Sequence, residues 1–443
     1  MRILIYSYNY APEPIGIAPL MTELAEGLVK RGHQVRVVTG MPNYPERIIY
    51  EPYRDKWYCT EFIKGVVIQR SYVWIRPKPN LLDRLLLEAS FVITSFIHAL
   101  KGQPPDIILM TAPPLLVSVP AAFLARIHSC PIVLNLQDIL PDAAIHVDLI
   151  KPNSKLVKIL RFLEKFAYRH ATKISVIADG FVNNLRGKGV PENKIVQIPN
   201  WVNTEIIKPL AKEPNKFREE HQLNGKFVVM YSGNIALTQG IETAIHAAVR
   251  LRHLPDIAIV IVGEKGALEN LHHEEEKALE KFNEDAEEGL KRLHLEEENA
   301  LRNLQIYTDT CKATNIKLLQ FEPREKLPEM LAAADLGLVL QRKNVINFNM
   351  PSKIPVLMAS GRAILASVPP DGTAASAIAR SGGGILIPPE DPGALAAAIV
   401  QLYIDPDKVK KLGEKGRKYA EENYAFETSL DRYEKLFTTV QES

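Results

Sequence analysis

Short runs of aliphatic and β-branched residues recur along the chain, each followed by a polar loop and then by apolar positions at helical spacing. In the first half these runs are Ile3–Ile5, Val35–Val38, Ile107–Met110, Ile132–Leu136, Ile174–Ile177 and Ile195–Val196, with a first helix over Pro19–Arg31. Strands alternating with helices in this way predict a parallel sheet covered by helices. Gly32 directly after the first helix supplies the left-handed residue that closes a last turn. The alternation restarts at Phe227–Tyr231 and continues through Ile257–Val262, Lys317–Leu319, Leu336–Leu340 and Ala363–Ala366. The pattern therefore predicts two α/β domains, 1–205 and 206–405, facing across a cleft. A helical tail, 406–443, is expected by analogy to cross back to the first.

One segment breaks the rhythm. Between about 272 and 303 the chain is dense in Glu and Lys, with leucines at partly helical spacing and net negative charge. A strand-to-helix step after Val262-Gly263-Glu264 needs only a short connection, so some 40 residues here exceed common lengths. A charged helical insertion is expected, either a solvated excursion or an interaction arm.

Composition narrows the class. In 443 residues, hydrophobic positions make up 46% and charged ones 24%, as in ordinary globular proteins. A formal net charge of +2 gives no field that argues for nucleic acid. Cys59, Cys130 and Cys311 lack metal or disulfide spacing. Leu85–Leu100 is broken by polar residues and falls short of a spanning helix. A cytoplasmic location is expected.

Three loops carry candidate chemistry. The first, Ala11–Ala18 with Gly16, joins the first strand to the first helix, where unpaired N–H groups and the helix dipole suit an anion. It lacks GxGxxG, and alone it reads equally well as a structural turn. The second, Tyr231–Glu242, repeats that geometry with small polar residues Ser232, Gly233, Asn234 and Gln239. In the third, Pro351-Ser352 opens a helix whose first turn holds Lys353, a charge unfavourable beside the dipole unless an anion joins it.

Together these residues resemble the retaining glycosyltransferases of family four, in the GT-B fold of two Rossmann-like domains, and within them the bacterial exopolysaccharide branch of the colanic acid type. The resemblance is carried by Tyr8–Glu13 with Gly16, Asn135–Asp138, Pro199–Trp201, Tyr231–Ile235 with Gln239-Gly240, and Pro351–Lys353 with Ala359–Gly361. It covers nearly the whole chain outside the insertion. It implies a UDP- or GDP-sugar bound mainly by the second domain, a saccharide acceptor bound by the first, and transfer with retention and without a metal or other cofactor. By position, Gly16 would contact the donor diphosphate and Asp138 would lie near the sugar. Asp138 also reads as a turn cap before Pro141.

Departures from the family pattern shift the expected charge. The positions of Asn234 and Gln239 commonly hold Arg and Lys, so Lys353 and Arg342 become the candidate counter-charges for the diphosphate. The family's paired glutamates would fall near Phe348 and Val356, and neither is acidic. Base and ribose contacts are expected from Gly263, Glu264, Phe321, Leu327 and Val356. Asp405-Pro406-Asp407 resembles a metal-binding triplet only superficially, since it opens a helix where aspartate caps.

The segments 81–100 and 151–173 combine apolar faces with Lys155, Lys158, Arg161, Lys165, Arg169 and Lys173. They suit peripheral contact with the inner membrane face and a lipid-linked acceptor, or else they simply cover the first sheet. A sugar-nucleotide epimerase of the same architecture, and a catalytically silent scaffold acting through the acidic segment, remain the alternatives.

Overall fold

A computed structural model describes the chain except residues 15, 45, 78–80, 147–149, 236–237, 264–314, 321, 347–349 and 443. The expected insertion at 272–303, Glu264 and Phe321 lie outside the described residues.

The described residues form two compact units. The first holds Met1–Pro199 together with Ser429 onward, and the second begins at Asn200 and runs to Thr428.

In the first unit, strands β1 (Arg2–Tyr6), β2 (Gln34–Gly40), β3 (Tyr58–Ile63), β4 (Val66–Ser71), β5 (Ile107–Ala112), β6 (Ile132–Leu136), β7 (Lys173–Val176) and β8 (Ile195–Gln197) form one sheet. Their order is β3-β4-β2-β1-β5-β6-β7-β8. Every pairing is parallel except β3 with β4, so β3 is an antiparallel edge. The hydrophobic pattern missed this hairpin for a physical reason. β3 has no buried residue, and β4 buries three polar side chains, Gln69, Arg70 and Ser71. Arg70 donates from Nη2 to the carbonyl of Ala11 at 2.6 Å, fastening the loop after β1.

Helices α1 (Ala18–Lys30), α2 (Leu81–Ala99), α3 (Ser118–His128), α4 (Asp142–His146), α5 (Lys155–His170) and α6 (Asp179–Gly187) connect these strands. α3 lies between α2 and α5 and touches both. Ser154 caps α5, its hydroxyl accepting from Val157 N at 3.3 Å.

The last helix, Phe426–Gln441, delivers its residues from Ser429 onward to the first unit. Leu430, Tyr433, Leu436, Phe437 and Val440 are buried. Asn135, fully buried on β6, donates to Tyr433 Oη at 2.7 Å, and His33 Nε2 meets Glu434 at 2.8 Å.

The second unit holds β9 (Phe227–Ser232), β10 (Ile257–Gly263), β11 (Ile316–Gln320), β12 (Leu336–Leu340), β13 (Ala363–Ser367) and β14 (Gly384–Ile387). They run in order β11-β10-β9-β12-β13-β14, all parallel. Alternate residues feed opposite cores. Val228, Met230 and Val260 join one, whereas Val229, Tyr231 and Ile259 join the other. Both faces being buried explains the nearly continuous apolar runs in the sequence. Asp405 caps the helix Pro406–Asn423 by accepting from Lys408 N at 3.0 Å.

Candidate functional site

The carboxyl ends of β9 and β12 set the geometry of the second unit's site. Ligands of open α/β sheets bind outside these ends. β9 ends at Ser232, and the chain turns at Gly233 with φ +148°. A Cβ built there would lie 2.9 Å from Lys353 Nζ, so a side chain at 233 would displace that lysine. Glycine here is needed both for its backbone and for its missing atoms.

Tyr231 holds the loop in place. Its buried hydroxyl donates to the carbonyl of Asn234 at 2.6 Å and lies 3.3 Å from Gln239 Oε1. Burial pushes the phenol's pKa upward, which keeps it a donor. The Tyr231 ring also lies under the lysine, with Lys353 Nζ 3.4 Å from its centroid. A ring face is electron-rich and attracts a cation.

Lys353 opens the helix Lys353–Ala359. Its Nζ is buried and has no hydrogen-bond partner among the described residues. Desolvation drives its pKa well below the usual lysine value. Buried as an ammonium, the group would carry three donors with nothing to accept them, and an anion seated beside it would remove that cost.

A cavity of about 400 Å³ opens at this lysine. Ser232, Gly233, Asn234, Gln239, Leu327, Pro351, Ser352, Lys353 and Val356 all line it, as do Met230, Leu331 and Met350. The polar loop thus sits at one wall, with apolar side chains able to cover a ring on another. Gly263 ends β10 beside Ile235, whose Cδ1 would lie 2.6 Å from an added Cβ.

Arg342 takes a different place from the one expected. It does not line this cavity; its Nη2 bonds Glu242 at 3.0 Å and its Nη1 lies 3.7 Å from Glu390. Its backbone N–H donates to the carbonyl of Thr238 at 2.9 Å. Two carboxylates already balance the guanidinium, so it braces the loop instead of supplying free charge. The sequence reading missed this because charge at the right loop says nothing of local acids.

Two side chains escaped the sequence reading altogether. Tyr231 was part of a motif, but its service as platform and clamp depends on the loop folding back over β9. Gln341, next after β12, is 2% exposed and keeps both amide atoms unpartnered among the described residues. No periodicity signals either.

In the first unit, the loop after β1 is built differently. Glu13 is 4% exposed, yet its carboxylate accepts from Asn9 Nδ2 at 2.7 Å, Asn43 N at 2.9 Å and Tyr44 N at 3.0 Å. Gly16 adopts φ +69° with open space where a Cβ would be. Asp138 follows β6. Its side chain is exposed, yet the protein around the carboxyl pushes its pKa up to about 6 by desolvation. No capping hydrogen bond from the Asp138 side chain is found among the described residues.

A larger hollow of about 780 Å³ lies around the starts of β9 and β13. Its arginines are already engaged: Arg362 donates to Leu210 and Ala334 carbonyls at 2.8 and 3.0 Å, and Arg417 to Ile207 and Ala359 carbonyls at 2.8 and 2.7 Å. Among the described residues, Glu220, His221 and Glu322 bring three potential metal-ligand atoms within 4.8 Å, but none of them lines the 400 Å³ cavity.

Against known proteins, residues 16–201 match the glycosyl transferase 4-like domain and residues 213–419 the glycosyl transferases group 1. WcaI of Escherichia coli K12, a glycosyl transferase assigned to colanic acid biosynthesis, is 27% identical over 98% of both chains. WbjE of Pseudomonas aeruginosa, also described as a glycosyltransferase, is 26% identical over 75% of this chain and 72% of its own. Among solved structures, Anabaena HepE in complex with UDP superimposes with a TM-score of 0.68 at 16% identity, covering 99% of this chain and 100% of that one.

Proposed function

Because the chain belongs to the glycosyltransferases that join a 4-like domain to a group 1 domain in the GT-B fold, we propose that it moves a sugar from a UDP- or GDP-sugar to a saccharide acceptor in exopolysaccharide biosynthesis. The observation that carries this reading is the buried Lys353 Nζ, without a hydrogen-bond partner among the described residues, at a cavity lined by Ser232, Gly233 and Asn234. A departing diphosphate develops negative charge as the glycosidic bond breaks, and a desolvated ammonium stabilises it without reorganising. HepE carries UDP in its crystals, which supports a uridine donor here. Leu327 and Val356 are the apolar side chains we assign to base and ribose. Pro351 and Ser352 present the helix start to the phosphates.

The reaction proceeds in this reading with retention at the anomeric carbon and without a metal, the lysine serving where a divalent ion would otherwise act. Asp138 and Gly16 take the sugar-side and diphosphate roles. The acceptor is lipid-linked, and the enzyme works at the inner face of the cytoplasmic membrane.

The test is sugar transfer by the full chain from UDP- and GDP-sugars to saccharides with and without a lipid carrier, in excess chelator. Retention seen in the product's anomeric signal, undiminished by chelator, supports the reading. An inverted product, or chelator-sensitive transfer, overturns the corresponding step. Donor turnover without acceptor identifies an epimerase instead.

A further inference from the structure

Helices α2, α3 and α5 form one layer on the first sheet, and their outward side chains are unusually apolar. Ile93 and Ile97 on α2, Phe123 and Ile127 on α3, and Ile159 and Phe162 on α5 are 46 to 68% exposed. On α2 the exposed positions 86, 93 and 97 follow helical spacing along one stripe, which Leu100 continues just past the helix end. α3 touches both neighbours, and the Phe96 and Phe123 rings lie 6.3 Å apart, so α2 and α3 share this outer surface. Scattered apolar side chains need no explanation, but six on three adjoining helices form a patch.

Charge selects the occupant. α5 exposes Lys155, Lys158, Arg161, Lys165 and Arg169, and its one acid, Glu164, is buried and bonded to Tyr168 at 2.9 Å. α3 adds Arg126 and no acid. A two-fold contact with a second copy would set this basic stripe against itself. No described helix is long and apolar enough to cross a membrane. We propose that this three-helix face seats on an anionic lipid bilayer, with aromatic and aliphatic side chains at the headgroup boundary and the lysines and arginines of α5 on the phosphates. The inference deepens the membrane-side reading above. It rests on that reading only for its purpose, to bring the enzyme to a lipid-linked acceptor.

The full chain should float with phosphatidylglycerol vesicles at low salt, and at least about tenfold less with phosphatidylcholine vesicles. The triple variant I93E/F123E/F162E should lose binding about tenfold or more at every salt concentration. K158E/R161E/K165E should lose it chiefly at low salt, since charge attraction is screened. Both variants should keep the wild-type melting temperature and UDP affinity in free solution, which separates a failed surface from a failed transferase. Equal binding to both vesicle types, or vesicle binding by both variants equal to wild type, overturns the proposal. So does a concentration-dependent dimer that I93E/F123E/F162E abolishes, which would assign the face to a second copy.

Discussion

The loops after β1 and after β9 occupy the same position in their sheets, both joining a strand's carboxyl end to a helix. Around the first, the buried charge is answered from within: Glu13 takes three hydrogen bonds and Arg70 secures Ala11. Around the second, the buried amine, held well below its usual pKa by desolvation, is left open. Lys353 has a ring beneath it and no acceptor among the described residues. A charge satisfied internally rigidifies a loop, whereas one left unsatisfied is completed by something that arrives. The same topological position thus serves architecture in one unit and ligand binding in the other.

The sharpest way to break this contrast is Lys353→Met. Losing a charge-assisted contact of about 1.5–3 kcal/mol should weaken UDP binding by roughly ten- to a hundredfold. The same change should raise the melting temperature at pH 7. A lysine whose folded pKa is lowered costs stability wherever the unfolded chain keeps its proton, so the gain should fade as pH rises toward the ordinary lysine value of 10.5. Calorimetry and thermal unfolding read both. A variant that binds UDP normally removes Lys353 from the site.

Proton linkage gives a second handle. Phosphate seated beside Nζ favours the ammonium, so UDP binding should take up protons at pH values between the free and the bound pKa, and affinity should fall as pH rises there. Calorimetry in buffers of different ionisation enthalpy should detect the uptake in wild type and none in Lys353→Met. Gly233→Ala comes next. Strain of about 1–3 kcal/mol at a positive φ, with Cβ against Nζ, should lower UDP affinity less than loss of the amine does.

On the other side of the contrast, Glu13→Gln should destabilise the fold by about 1–3 kcal/mol in chemical denaturation, through weakened bonds to Asn43 and Tyr44 N–H groups. UDP-linked proton uptake should stay as in wild type. The smallest effect concerns Asp138. Its folded pKa of about 6 lies above the ordinary aspartate value of 3.8, so its contribution to stability is present below 3.8 and lost as pH rises through about 6. Asp138→Asn should flatten that part of the pH–stability profile, and an unchanged profile would mean that the carboxyl is fully hydrated.

The sheets were legible where burial on both faces made the strands uniformly apolar, as in Ile132–Leu136 and Ile257–Val262. They were illegible where polar side chains were buried, as in β4, or where a strand was short and half exposed, as in β14. At the site, Lys353 stood out because a cation at a helix start conflicts with the dipole. The pairing of Arg342 with Glu242 and Glu390 was not legible, because these partners lie 100 positions before it and 48 after it. Tyr231 was silent, since an aromatic in a buried strand looks like any core residue until the lysine is seen above it.

The bond between Asn135 and Tyr433 also carries a consequence for biosynthesis. The amide on β6 emerges from the ribosome some 300 positions before the phenol that satisfies it. Until then the first unit lacks the helix that carries the buried side chains Leu430, Leu436, Phe437 and Val440. The amino-terminal half must therefore wait, incompletely closed, while the whole second unit is translated. Cutting the gene after codon 199 should yield a chain that aggregates unless residues 429–443 are supplied, in cis through a linker or in trans as a peptide.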